Sequence, residues 1–211
     1  MPRRFFVTGT DTNVGKTVAC ALLCAALDAI YWKPIQTGRR QGTDRRKVIE
    51  LAGLPRFRAI REAFCLAPPV SPHLAAQLSH VQIALERISL PKILPSENVI
   101  VEGAGGVLVP INKKHLMVDL MKRLRLPVLL VARTSLGTIN HTLLSLAALR
   151  SRRVPVRGVI LVGQHNRENQ EAIERYGNIE VVGSIPWLDT VDRKMLLYVS
   201  RKYFARNFLC A

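Results

Sequence analysis

Acidic residues are scarce in this chain of 211 residues: 15 Asp and Glu stand against 31 Lys and Arg, a formal charge of +16. Such an excess suits a nucleic acid, an anionic membrane surface or a phosphorylated ligand, and by itself chooses none of them. Long apolar runs are missing too. The longest nearly apolar stretch, Val18 to Trp32, is broken by Asp28 and falls short of the roughly 20 residues that span a bilayer. It reads as a buried helix running into a strand. Near the start, Phe5-Phe6-Val7 follows two arginines in the manner of a signal peptide, but Thr8 to Asn13 ends the apolar run after three residues. No secretory signal follows, and a cytoplasmic protein without a membrane anchor is expected. Cysteine is limited to Cys20, Cys24, Cys65 and Cys210, with no CxxC spacing. This argues against a disulfide framework or a cysteine metal site and for buried free thiols in a reducing compartment. Glycine (13) and proline (12) are few beside 48% hydrophobic residues, which opposes a disordered or fibrous chain. There is no internal repeat and no linker; Pro68-Pro69 is too short to separate domains. One domain over residues 1–211 is the economical reading.

What is present is alternation. Short β-rich runs recur at Phe5–Val7, Ile30–Trp32, Asn98–Val101, Pro127–Val131, Val156–Val162 and Val181–Ile185. Helical patterns lie between them at Lys16–Ala29, Asp44–Gly53, His73–Ile88, Val118–Arg125, Ile139–Ser151 and Arg167–Tyr176. Continuous apolar strands alternating with helices predict an α/β fold, a parallel sheet flanked by helices on both faces, with ligands at the carboxyl ends of the strands.

The first such end carries Gly9-Thr10-Asp11-Thr12-Asn13-Val14-Gly15-Lys16-Thr17, followed at once by an apolar helix. Strand, glycine-containing turn and helix form the context of a P-loop. Backbone N–H groups and the helix N-terminus hold phosphate oxygens, Lys16 adds charge at the β- and γ-phosphates, and Thr17 offers a hydroxyl to Mg²⁺. Five residues instead of four separate Gly9 from Gly15, so this is a variant loop. A second strand runs into Glu102-Gly103-Ala104-Gly105-Gly106. Glu102 is the acidic group expected at that strand's end, reaching Mg²⁺ directly or through water, and the glycines admit an anion close to the backbone. Asp44 is another acidic candidate, or simply a helix N-cap. Lys33, after the Ile30–Trp32 run, could neutralise charge developing in phosphoryl transfer or bind a carboxylate or carbamate. Taken alone it could equally be a surface lysine.

With GTDTNVGKT, YWKPIQTG, SPHLAA (Ser71 to Ala76), VEGAGG, SLGTINHTLLSL (Ser135 to Leu146) and GSIPWL (Gly183 to Leu188) in order, the chain resembles the dethiobiotin synthetase family almost end to end. The resemblance implies a P-loop NTPase, Rossmann-like three-layer fold. It implies a cyclo-ligase that uses ATP and Mg²⁺ to carboxylate 7,8-diaminopelargonate with CO₂. One amine captures CO₂ as a carbamate, the carbamate attacks the γ-phosphate to give a carbamic-phosphoric anhydride, and the second amine closes the ureido ring. Residue by residue, it implies catalytic roles for Lys33 and Lys16, and Mg²⁺ ligation by Thr17, Asp44 and Glu102. Nucleotide contacts fall to Asn13, Val14, Gly15, Lys16, Thr17, Val18, Asp44, Glu102, Gly103, Ala104, Gly105, Ile185, Pro186 and Trp187. Substrate contacts fall to Thr37, Gly137, Thr138 and Asn140, the last three across a two-fold homodimer interface.

Several readings stay open at this level. Gly137-Thr138-Ile139-Asn140 could draw a substrate carboxylate to a helix N-terminus, or Thr138 or Asn140 could be an ordinary cap. Trp187 could flank a base or fill the core. An Asn-Asp pair found in some family members is Val162-Gly163 here, which leaves Gln164, His165 or Asn166 to read the base. A lysine found in some members is Ser135, with Arg133 a possible substitute. The short link Leu27-Asp28-Ala29-Ile30 requires a tight turn or a shorter helix. Partitioning ATPases carry a signature lysine near the position of Asp11, which opposes that alternative. A nucleic-acid module rests on charge alone, because the basic groups are scattered and lack interleaved aromatics, so no nucleic-acid partner is expected.

Overall fold

The computed structural model describes residues 2–209. In chain order the elements are β1 (Arg4–Gly9), α1 (Lys16–Leu27), β2 (Ile30–Trp32), β3 (Ile35–Gln36), α2 (Asp44–Ala52), β4 (Ala59–Ile60), β5 (Phe64–Cys65) and α3 (Pro72–Leu78). Then follow β6 (Val99–Gly106), α4 (Met117–Leu124), β7 (Val128–Arg133), α5 (Thr138–Ser151), β8 (Val156–Val162), α6 (Arg167–Gly177), β9 (Val181–Ile185), α7 (Arg193–Tyr203) and α8 (Arg206–Leu209). Seven strands form one sheet in the order β4-β2-β6-β1-β7-β8-β9. Every pairing in it is parallel. A small parallel pair, β3 with β5, lies apart.

Strand periodicity sends alternate side chains to opposite faces, which explains why the strands are apolar throughout. Phe6, Trp32, Val101 and Leu130 pack on one side with Met117 and Leu120 of α4, Leu146 of α5 and Ile173 of α6. Phe5, Val7, Tyr31, Ile100 and Leu129 pack on the other with α1, Val48 of α2 and Leu196 and Val199 of α7. The expected three-layer arrangement is present, with the sheet in the middle.

Four local expectations are corrected. Helix α1 ends at Leu27, not Ala29: Asp28 takes left-handed backbone (φ 47°) and its N–H bonds the Cys24 carbonyl, which makes the tight link to β2 possible. The helix expected over His73–Ile88 stops at Leu78. Beyond it Ile83, Leu85 and Ile88 still bury in the core, Leu85 within a single 3-10 turn (Leu85–Arg87), and side chains from elsewhere serve carbonyls of this segment: Asn112 Nδ2 donates to that of Ile83 (2.8 Å), and Arg123 to those of Ile88 and Glu86. Helix α7 was not anticipated, although Asp192 caps it by accepting the Met195 N–H at 2.7 Å. Cys20 and Cys24 are buried as expected and Cys65 is half-buried, so burial does not extend to it; Cys210 lies outside the described residues. Among the described residues no helix is long and apolar enough to cross a membrane.

Candidate active site

The carboxyl ends of β1, β2 and β6 converge on a crevice of about 420 Å³, with Thr12, Asn13, Gly15, Lys16, Thr17, Lys33, Thr37, Asp44, Glu102, Ala104 and Gly105 among its walls. The loop between β1 and α1 wraps tightly. A Cβ on Gly9 would lie 2.7 Å from Val14 Cγ2, and one on Gly15 would lie 2.8 Å from Val162 Cγ1. Gly15 is also in left-handed backbone (φ 96°), as is Asn13 (φ 53°), and Asn tolerates that region better than most residues. Lys16 is buried and donates to the Asp11 carbonyl at 2.7 Å.

Lys33 leaves the end of β2 and is buried, not a surface lysine. Its ammonium lies 2.5 Å from Asp44 Oδ2 and 2.8 Å from Glu102 Oε1. Thr17 Oγ1 sits 3.2 Å from Asp44 Oδ1 and 3.1 Å from Glu102 Oε1, and its single proton can serve only one of them at a time. Tyr31 donates its hydroxyl to the other Glu102 oxygen at 2.8 Å. Asp44 is not the N-cap of α2: Thr43 fills that role, accepting from the Arg46 N–H, and leaves the Asp44 carboxylate to the crevice. Gln36 holds Asp44 in place by accepting its backbone N–H at 3.0 Å. Glu102 stands inside β6 rather than at its end, since the strand continues to Gly106 and pairs Val7 with Glu102.

The charges shape one another. Burial pushes the Lys16 ammonium down to about 8, with help from Lys33 and opposition from Glu102. Burial also disfavours charge on Lys33, but Glu102 and Asp44 outweigh it and hold the ammonium above its ordinary range. Burial disfavours the Asp44 carboxylate, yet Lys33 keeps it below its ordinary value. Burial and then Glu102 push the Tyr31 phenol well up, so it remains a donor.

A second, larger cleft of about 790 Å³ shares Asn13, Gly15 and Val18 with the crevice and extends past Arg133, Val162, Gln164, His165 and Asn166 to Ile185, Pro186 and Trp187. Val14 lines it as well. Trp187 is 78% exposed, which excludes the core alternative. Gly103 lines neither cavity; a Cβ there would lie 2.9 Å from Phe6 Cε1. Gly137, Thr138 and Asn140 also line neither. Gly137 is itself the N-cap of α5, in left-handed backbone, and no side chain caps this helix. Thr138 Oγ1 is buried without a partner, while Asn140 is exposed. Sequence reasoning missed Tyr31, whose partner Glu102 is 71 positions away, and also Gln36 and the crevice residue Lys47, which lie within eight positions of Asp44.

A family model described as an AAA domain (AAA_26) matches residues 3–195. A protein of Rhodopseudomonas palustris named ATP-dependent dethiobiotin synthetase BioD is 47% identical over 208 residues, 99% of this chain and 95% of its own. One of the same name from Brucella anthropi is 43% identical over 207 residues, 98% of this chain and 97% of its own. Among solved structures, a ParA family ATPase from Chlorobium tepidum (TM-score 0.50, 13% identity, 95% of this chain and 93% of that one) shares the fold. So does the signal recognition particle receptor FtsY from Elizabethkingia anophelis (TM-score 0.53, 14% identity, 93% and 59%). The near-full-length likeness to the two named synthetases, with the family match over residues 3–195, places the chain in one family: it belongs to the ATP-dependent dethiobiotin synthetases, ligases built on a P-loop NTPase fold.

Proposed function

We propose that the chain joins CO₂ to 7,8-diaminopelargonate at the expense of ATP and closes the ureido ring of dethiobiotin. One amine nitrogen attacks CO₂ and loses a proton to give a carbamate. A carbamate oxygen attacks the γ-phosphorus and ADP leaves. The second amine attacks the carbonyl carbon of the resulting carbamic-phosphoric anhydride, phosphate departs with the bridging oxygen, and the ring closes with loss of a proton. The observation that carries this reading is the placement of Lys33: a buried ammonium between two carboxylates, in one crevice with the P-loop lysine. A reaction that brings a carbamate against a triphosphate needs cations already oriented where negative charge gathers.

In this reading the P-loop backbone and the start of α1 cradle the phosphates, and Lys16 meets the β- and γ-phosphates. Lys33 neutralises the carbamate and the transferred phosphoryl group. The larger cleft takes the nucleoside, with Trp187 and Pro186 against the base. The oxygen set of Thr17, Asp44 and Glu102 suits Mg²⁺, a hard cation that takes one or two carboxylates and completes its shell with phosphate oxygens and water. When bound, Mg²⁺ supplies charge neutralisation at the β- and γ-phosphates.

Thr37 opens the crevice toward the diamine. Gly137, Thr138 and Asn140 line neither the crevice nor the larger cleft, and a fully exposed Leu136 and an exposed Leu144 stand on the same segment. Both facts support a homodimer in which this helix N-terminus receives the substrate carboxylate of the other copy's site. The chain would act as a single domain in the cytoplasm. Purified protein with Mg²⁺, ATP, bicarbonate and the diamine should release ADP and phosphate in step with dethiobiotin. ATP turnover that ignores the diamine would overturn the reading.

A further inference from the structure

The end of β7 meets the P-loop through an ion pair, beside the backbone bond that the Thr10 N–H donates to the Val131 carbonyl at 2.9 Å. Arg133 Nη2 lies 3.0 Å from Asp11 Oδ2 and donates to it, joining residues 122 positions apart. The same aspartate is held on its loop side: its Oδ1 accepts the Thr12 N–H at 2.7 Å, and its carbonyl accepts the Lys16 ammonium at 2.7 Å. Asp11 therefore links three things, the tip of the loop, the P-loop lysine and the neighbouring strand. Arg133 also lines the larger cleft, next to Asn13 and Gly15.

We propose that Arg133 is a positioning residue that acts through Asp11, a strut fixing the first turn of the P-loop in the shape that receives a triphosphate. This inference rests on the nucleotide reading given above. A loop that must present several N–H groups to one anion loses affinity when its first turn is free to move, because binding then has to restore that order. The pair is half-exposed on both sides, with side-chain exposures of 44% and 50%, so its effect is modest. A guanidinium that touched phosphate directly would count for more, since charge-assisted bonds to phosphate are among the strong ones.

Four variants separate the two cases: Arg133→Ala, Asp11→Asn, the double variant and Arg133→Lys. ATP affinity is measured by titration calorimetry, and KM and kcat by dethiobiotin formation. For the strut, each single change weakens ATP binding and raises KM for ATP about three- to fivefold. Turnover at saturation and the melting midpoint stay put, the double variant matches either single, and Arg133→Lys recovers most of the loss. Additive losses, or a loss for Arg133→Ala tens of times larger than for Asp11→Asn, would overturn the strut and make Arg133 a phosphate ligand. Unchanged KM in both single variants would overturn it as well, as would a lowered midpoint with kcat and KM falling together. A parent protein that binds no ATP would instead overturn the nucleotide reading, before any variant is compared.

Discussion

Lys33→Gln strikes the centre of the crevice, and its cost can be worked from the burial of the pair. Glu102 is 1% exposed, and the Asp44 side chain is 19% exposed. Removing one partner of a buried ion pair costs about 3–5 kcal/mol, because the remaining charge stays desolvated. Glutamine can donate one hydrogen bond to a carboxylate, Asp44 keeps some water, and Tyr31 still serves Glu102, so the low end of that range, about 3 kcal/mol, is expected. For a chain of this length 1 kcal/mol is worth about 2–4 °C, which puts the fall in melting midpoint at about 6–12 °C. Turnover should fall further than stability explains, by about 10²–10³-fold, the loss typical of deleting one preorganised electrostatic stabiliser. Circular dichroism on heating gives the first quantity. Mass-spectrometric dethiobiotin formation, well below the midpoint, gives the second. A midpoint within about 2 °C of the parent and a rate within about threefold would refute both the burial argument and the role of Lys33.

Tyr31→Phe should cost about 1–3 kcal/mol, because a buried Glu102 oxygen loses its donor; thermal melts showing no change would mean that water replaces the hydroxyl. Trp187→Ala should leave the melting midpoint alone, since the indole is exposed, yet raise KM for ATP several-fold; an unchanged KM would remove the indole from the base site. Asp44 is held below the ordinary value of 3.8 by Lys33. Its stabilising effect is therefore fully present above about pH 4 and is lost as the pH falls through the lower folded value. Acid titration of the Lys33→Gln protein should show a shallower loss over that window than the parent, and parallel acid limbs would contradict the coupling.

Much of this was legible in the sequence because it is local. Alternating Phe5, Phe6 and Val7 announce a strand covered on both faces, and Gly15-Lys16-Thr17 ahead of an apolar helix announces a phosphate loop. What was obscure depends on residues far apart. Whether Asp44 caps α2 or faces the crevice was undecidable until Thr43 took the cap. Tyr31 and Glu102 are 71 positions apart, and only the β2–β6 pairing brings them together. Helical spacing over His73–Ile88 misled because Ile83, Leu85 and Ile88 bury without a continuous α-helix: Leu85 sits in one 3-10 turn, and the carbonyls of Ile83 and Ile88 are served by Asn112 and Arg123. Asp192, three residues before Met195, was a readable start signal for α7.

The central claim is that a carbamate oxygen attacks the γ-phosphorus and leaves with the phosphate. Bicarbonate labelled with oxygen-18, supplied fresh with the diamine, Mg²⁺ and ATP, tests it most directly. The account predicts one labelled oxygen in each phosphate released, in step with dethiobiotin. Phosphate carrying no label while dethiobiotin forms would contradict it.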